Sequence, residues 1–108
     1  IPLWDKERSM NISPGMVKAL TDMTGEPRID IAIREIIRDA VEHRIERLQK
    51  EIEHLTEKYQ MRFEEFDREF QAKEIPEQFS YDIEKDYLEW EGLISRRRKL
   101  EDILQMVG

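Results

Sequence analysis

The chain has 108 residues, too few for more than one domain, and carries 18 Lys and Arg against 25 Asp and Glu, a net charge of −7. That acidic balance argues against non-specific nucleic-acid binding, which needs surplus cations facing phosphates, and it suits a basic protein partner. With no cysteine there are no disulfides or thiolate metal sites, and apolar runs of two or three residues fall far short of the roughly 20 that cross a membrane.

Only 4 Gly and 4 Pro occur in a background rich in Glu, Arg, Leu and Ile, so an all-α fold of long helices is expected. Ile1-Pro2-Leu3-Trp4 runs at once into Asp5-Lys6-Glu7-Arg8, a pattern that does not resemble a secretory leader, and a cytoplasmic protein is the default expectation. The first residue is not methionine, so further residues can precede it.

Residues 1–25 read as an arm with one short helix. Ser13-Pro14 is a helix start, serine as N-cap and proline at the first helical position, and Gly25 with Pro27 stops it. Met16, Leu20 and Met23 share one apolar face. That face either caps the main body or orders on a partner, a use to which adaptable methionines lend themselves.

A hairpin domain is expected over 26–108, beginning with a long helix from about 28 to 60. Ile33, Ile36, Ile37, Ala40 and Val41 give a wide apolar face that narrows to Ile45, Leu48, Ile52, Leu55 and Tyr59, in steps of 3, 4, 3 and 4. This is a coiled-coil seam. Glu46 and Lys50 are placed to pair outside it. Ile29-Asp30-Ile31-Ala32-Ile33 alternates with period two, so a short strand is an alternative there.

Phe63, Phe66 and Phe70 make the next stripe, over about 63–72. The step from Tyr59 to Phe63 breaks the heptad, so the helix either stutters or bends near Gln60-Met61. The pattern fails over about 73–80, around Pro76, which is read as the turn. The last helix is expected over about 81–107, with Ile83, Tyr87, Trp90, Leu93, Ile94, Leu100, Leu104 and Val107 inward. Two such helices form an antiparallel hairpin without a closed core. Association is therefore expected, most simply a homodimer with a four-helix arrangement.

Candidate sites are sparse. Glu51 and His54 have the Glu-x-x-His spacing of di-metal bundles, but the heptad turns them away from the seam. Only two histidines exist, so no metal and no cofactor is expected. No serine sits in a nucleophile motif and no glycine loop could cradle phosphate, so the chain reads as non-enzymatic. Arg96, Arg97, Arg98 and Lys99 are consecutive, yet at about 100° per residue they point four ways. Phosphate contact through Arg96 and Lys99 stays open, as do helical pairs Arg97–Glu101 and Arg98–Asp102.

Gly92 lies mid-helix, where glycine costs about 1 kcal/mol against alanine, and a close approach would compensate. With Trp90 inward, Tyr81, Leu88, Gly92 and Ser95 fall on the opposite face. Together with Met16, Leu20 and Met23 they are the expected partner contacts.

The stretch Glu57-Lys58-Tyr59-Gln60-Met61-Arg62-Phe63-Glu64-Glu65-Phe66, followed by Asp86-Tyr87-Leu88-Glu89-Trp90-Glu91, resembles small Glu-rich helical proteins of archaea and bacteria. Those carry a KYGM-x-FEEF segment and then D-x-x-EWE, are commonly encoded beside small toxin-like proteins, and are suspected antitoxins. The resemblance covers roughly residues 40–105 and departs at Gln60, where glycine is usual, which leaves the bend there less certain. It implies a protein that binds and neutralises a small basic toxin, with no membrane and with nucleic acid met only through a complex. The readings from other classes are a structural coiled-coil oligomer and a ferritin-like metal-binding dimer.

Overall fold

The computed structural model describes residues 12–108, so the first part of the expected N-terminal arm, residues 1–11, lies outside the described residues. Four helices occur among the described residues: α1 (Pro14–Thr24), α2 (Ile29–Tyr59), α3 (Phe63–Gln71) and α4 (Tyr81–Val107). The fold is all-α, and its main element is a helical hairpin. The chain divides into two compact units, Ile1–Asp39 and Ala40–Gly108.

In the first unit, the Ser13 hydroxyl accepts from the Met16 N–H at 3.2 Å. Gly25, at φ 71°, closes α1 by donating its N–H to the Thr21 carbonyl. Glu26 then organises the start of α2, its carboxylate accepting from both the backbone N–H and the guanidinium of Arg28. Hydrogen bonding to Arg28 holds the Glu26 carboxyl below its ordinary range. Ile29 to Ile33 are helical, which decides against the strand alternative, and Ala32 within that segment is fully buried.

In the second unit the chain turns two corners by the same device. α2 stops at Tyr59 because Gln60 takes the left-handed conformation at φ 55°, and the Met61 N–H returns to the Thr56 carbonyl. At the end of α3, Lys73 is left-handed at φ 60° and the Glu74 N–H returns to Glu69. Both close the last helical turn in a Schellman pattern, in which glycine is the usual occupant. The bend near Gln60 is therefore present even though glutamine replaces the glycine of the resembling pattern.

The segment after α3 is anchored by a residue that its composition does not advertise. Gln78 is only 4% exposed. Its side-chain oxygen accepts from the Ile75 N–H at 3.2 Å, and its amide donates to the Phe70 carbonyl at 3.1 Å. This gives the Ile75 N–H its partner and adds a second donor to the Phe70 carbonyl, which also accepts from the Lys73 N–H at 3.1 Å. Ser80 then caps α4, with Asp82 and Glu84 favourably placed at the positive end of its dipole.

The core joins Leu48, Ile52 and Leu55 of α2, Phe66 of α3, Ile75 of the turn, and Tyr87, Trp90 and Leu93 of α4. Tyr59, Phe63, Phe70, Ile94 and Leu100 pack around it. Ile45 and Leu104 are half-buried and stand outside this cluster. Trp90 is fully buried, with ring centres of Phe66, Phe63 and Tyr59 at 5.2, 5.5 and 5.8 Å. Phe70 stacks on Tyr87 at 4.1 Å. The hairpin is antiparallel: Lys58 meets Asp86 near the corner, and Arg97 donates to Gln49 at 2.7 Å farther along.

Candidate functional site

The residues expected to contact a partner fall on two surfaces, one in each unit. On α1, Met16 and Met23 are 57% and 73% exposed and Leu20 is half-buried; the helix has no buried residue. On α4, Tyr81 and Leu88 are 76% and 65% exposed, Ser95 is exposed and Gly92 is half-exposed. Tyr81 and Leu88 line a hollow of about 500 Å³ with Glu84, Lys85 and Glu89.

A Cβ built on Gly92 would meet nothing within 4 Å. The close approach expected at this glycine is therefore not made within the chain.

The basic run divides as helical geometry requires. Arg97 turns inward, pairing with Glu101 at 3.6 Å as well as bonding Gln49. The expected pairs Glu46–Lys50 and Arg98–Asp102 are not among the ion pairs of the described residues, which Lys18, Arg28, Lys58 and Arg97 make. Arg96 instead joins Arg44, Arg47 and Lys50 around a cleft of about 620 Å³ floored by Leu48 and Leu100, with Glu51 its one carboxylate. Sequence spacing along one helix could not reveal this cleft, because its cations come from two helices that meet only once the hairpin closes.

Beside that cleft the groove between α2 and α4 continues past His54 and Lys58 to Asp86 and Glu89. Asp86 accepts from the Lys58 ammonium and the Tyr59 hydroxyl, both at 2.5 Å. Burial opposes ionisation of Asp86, but these two bonds outweigh it and hold the carboxyl below its ordinary range. Burial first, and then the Asp86 bond, push the Tyr59 phenol well upward. Tyr87 donates to Asp67, accepts from Gln71, and is raised to about 12, chiefly by the Asp67 bond. These groups lock the corner in place, while the buried Trp90 Nε1 and Glu69 Oε2 have no hydrogen-bond partner.

Glu51 and His54 are both exposed, and among the described residues no three His, Asp or Glu side chains gather as a metal-holding group. Ser13 and Ser80 use their hydroxyls as helix caps. No described helix is long and apolar enough to cross a membrane.

A family model described as "Uncharacterized protein MJ0235 family" matches residues 16–107. The chain belongs to that family. The MJ0235 family match takes in both surfaces, α1 from Met16 onward and all of α4. No curated protein and no solved structure matches the chain.

Among the described residues, Phe79 and Met106 are also exposed, 70% and 75%, and lie outside the expected contact surfaces. Phe79 gave no periodic signal because it precedes α4. Met106 lies on the same helical line as Tyr81 and Leu88, and extending that line to the end of the helix would have found it.

Proposed function

We propose that the chain is a cytoplasmic, non-enzymatic protein-binding module that captures and neutralises a small basic protein, an antitoxin-like role needing no cofactor. The observation that carries this reading is α1, a helix capped at both ends yet with none of its residues buried, whose Met16 and Met23 stand in the open. A helix of 11 residues is marginal on its own in water, so an apolar groove on a partner would stabilise it. Methionine side chains adapt to irregular surfaces, and a net charge of −7 speeds encounter with a cationic partner. The resemblance to Glu-rich proteins encoded beside toxins points to the same class.

Co-expression with the neighbouring reading frame, followed by affinity capture of the full chain, tests this reading. A small basic protein should co-purify and the toxicity of that frame should be suppressed. Met16→Asp with Met23→Asp should abolish capture while leaving helicity intact. No co-purifying protein and no growth rescue would remove the antitoxin reading.

A second reading, a structural helical oligomer, is favoured by a separate observation. The outer face of α4 carries Tyr81 and Leu88 exposed, with a glycine whose approach is unfilled.

A further inference from the structure

We infer that the outer face of α4 is the interface with a second copy of this chain, paired antiparallel about a twofold axis between residues 93 and 94. This takes up the oligomer reading and names its geometry. A chain that pairs this way but captures no basic protein would lose the antitoxin role and keep this interface.

With Trp90 inward, Lys85 and Ile103 edge the sector within about 40° of the opposite direction on a helix of about 100° per residue, and Tyr81, Leu88, Gly92, Ser95, Lys99 and Met106 complete it. The spacings of these last six are 7, 4, 3, 4 and 7 residues, the same read in either direction. An antiparallel copy therefore sets Gly92 against the partner's Ser95, Leu88 against the partner's Lys99, and Tyr81 against the partner's Met106. The two small residues meet at the centre, where backbones come closest. The apolar residues meet at the ends, and the Lys99 stem covers Leu88 while its ammonium reaches water. A twofold contact of this kind closes on itself and leaves no open surface to propagate.

Charge selects this occupant over others. The first half of α4 is acidic and the four consecutive cations follow it, so an antiparallel copy brings opposite signs together, whereas a parallel one would stack like on like. In an antiparallel helix pair, residues on one flank meet residues on the same flank of the partner. Glu89 thus faces the partner's Arg96, and Glu91 faces the partner's Arg98, each repeated by symmetry. Glu89, Arg96 and Arg98 are not among the residues that form ion pairs within the described chain. Arg96 stands beside Arg44, Arg47 and Lys50, so an incoming carboxylate would also relieve the repulsion in that cleft.

The interface gives Gly92 its reason. Within one chain nothing lies near the missing Cβ, so the glycine weakens its helix without return. Across the axis it admits the partner's backbone.

Sedimentation velocity on the full chain at about 0.1 mM, with circular dichroism as the folding control, tests the inference. The wild-type chain should be a dimer. Glu89→Arg with Glu91→Arg should raise the dissociation constant about tenfold or more, and adding Arg96→Glu with Arg98→Glu should restore it to within about threefold. Gly92→Gln should weaken the dimer about tenfold while helicity is kept or gained, since the substitution has open space in the monomer. A monomeric wild type overturns the inference. So does a dimer indifferent to the first pair of changes, or a charge-reversed quadruple variant that stays dissociated while folded.

Discussion

The two ends of the hairpin are held by different means. At the closed end, six aromatic rings from α2, α3 and α4, Trp90 among them, interlock, and hydrogen bonds from Lys58 and Tyr59 to Asp86 and from Tyr87 to Asp67 tie the rim. At the open end, Leu48 and Leu100 lie under a cleft lined by Arg44, Arg47, Lys50 and Arg96, and Ile45 and Leu104 are only half-buried. Aromatic rings bury large areas and add geometry-specific contacts, so the closed end has the cohesion of a small core, while the open end has the composition of a surface awaiting a neighbour.

Truncating each end separately sharpens that contrast most. Trp90→Ala should cost about 3–5 kcal/mol, because the ring is fully buried and its cavity cannot collapse onto rigid aromatic neighbours. Leu104→Ala, at a half-buried site, should cost about 1 kcal/mol or less. Urea denaturation of both variants checks the difference; equal losses would erase the distinction between the ends.

The next largest effect concerns the turn. Gln78→Ala leaves the Ile75 N–H without its partner, while the Phe70 carbonyl keeps the Lys73 N–H, and should cost about 1–3 kcal/mol. Its signature should be earlier hydrogen exchange at Ile75 than in the middle of α2. Retained protection at Ile75 would show that the turn holds without its buried amide.

The hydrogen-bonded rim of the closed end should give it a pH dependence at both extremes. Asp86 has a lowered folded pKa, so its contribution is present above the unfolded carboxyl value of about 4 and is lost as pH falls through the folded value. Tyr87 has a raised folded pKa, so its contribution is present below about 10, the unfolded phenol value, and is lost as pH rises toward about 12. Thermal melts across this range should show Asp86→Asn flattening the acid limb and Tyr87→Phe flattening the alkaline limb. Unchanged limbs would mean the rim bonds do not differ between folded and unfolded chains.

The smallest effect is at the first corner. Gln60→Gly removes a Cβ from a left-handed residue and should stabilise by about 1 kcal/mol or less. A loss instead would mean that the Gln60 amide, which donates to the Glu57 carbonyl at 2.7 Å, matters more than the backbone strain.

Much of this fold is legible in the sequence because one rule wrote most of it. The 3, 4, 3, 4 seam through Ile45 to Tyr59, its break before Phe63 and the loss of pattern around Pro76 outline the helices of the hairpin, while the choice between a stutter and a bend near Gln60 rests on its left-handed backbone. Periodicity could not reveal what is not periodic. Gln78 is a polar residue buried by its hydrogen bonds rather than by its hydrophobicity, and the Arg44–Arg96 cleft joins residues half a chain apart. The outer face of α4 is legible as a face through Tyr81, Leu88, Gly92 and Ser95, and Met106 lies on the same line at its far end. The period-two alternation at Ile29–Ile33 was misleading locally, and the following turns of apolar residues, together with the Glu26 clasp on Arg28, make that segment helix.

The aromatic knot also bears on how the chain reaches this state. Its rings all come from residues 59 to 90, a span already folded back by two left-handed corners. Loop closure over so short a stretch is entropically cheap, so docking begins at the turn and runs outward along the two long helices. Substitutions at Phe66 should therefore slow folding, whereas those at Leu100 should mainly hasten unfolding. The last part of the hairpin to close is then the end that carries the basic cleft, which completes its lining of charge only when folding is nearly over.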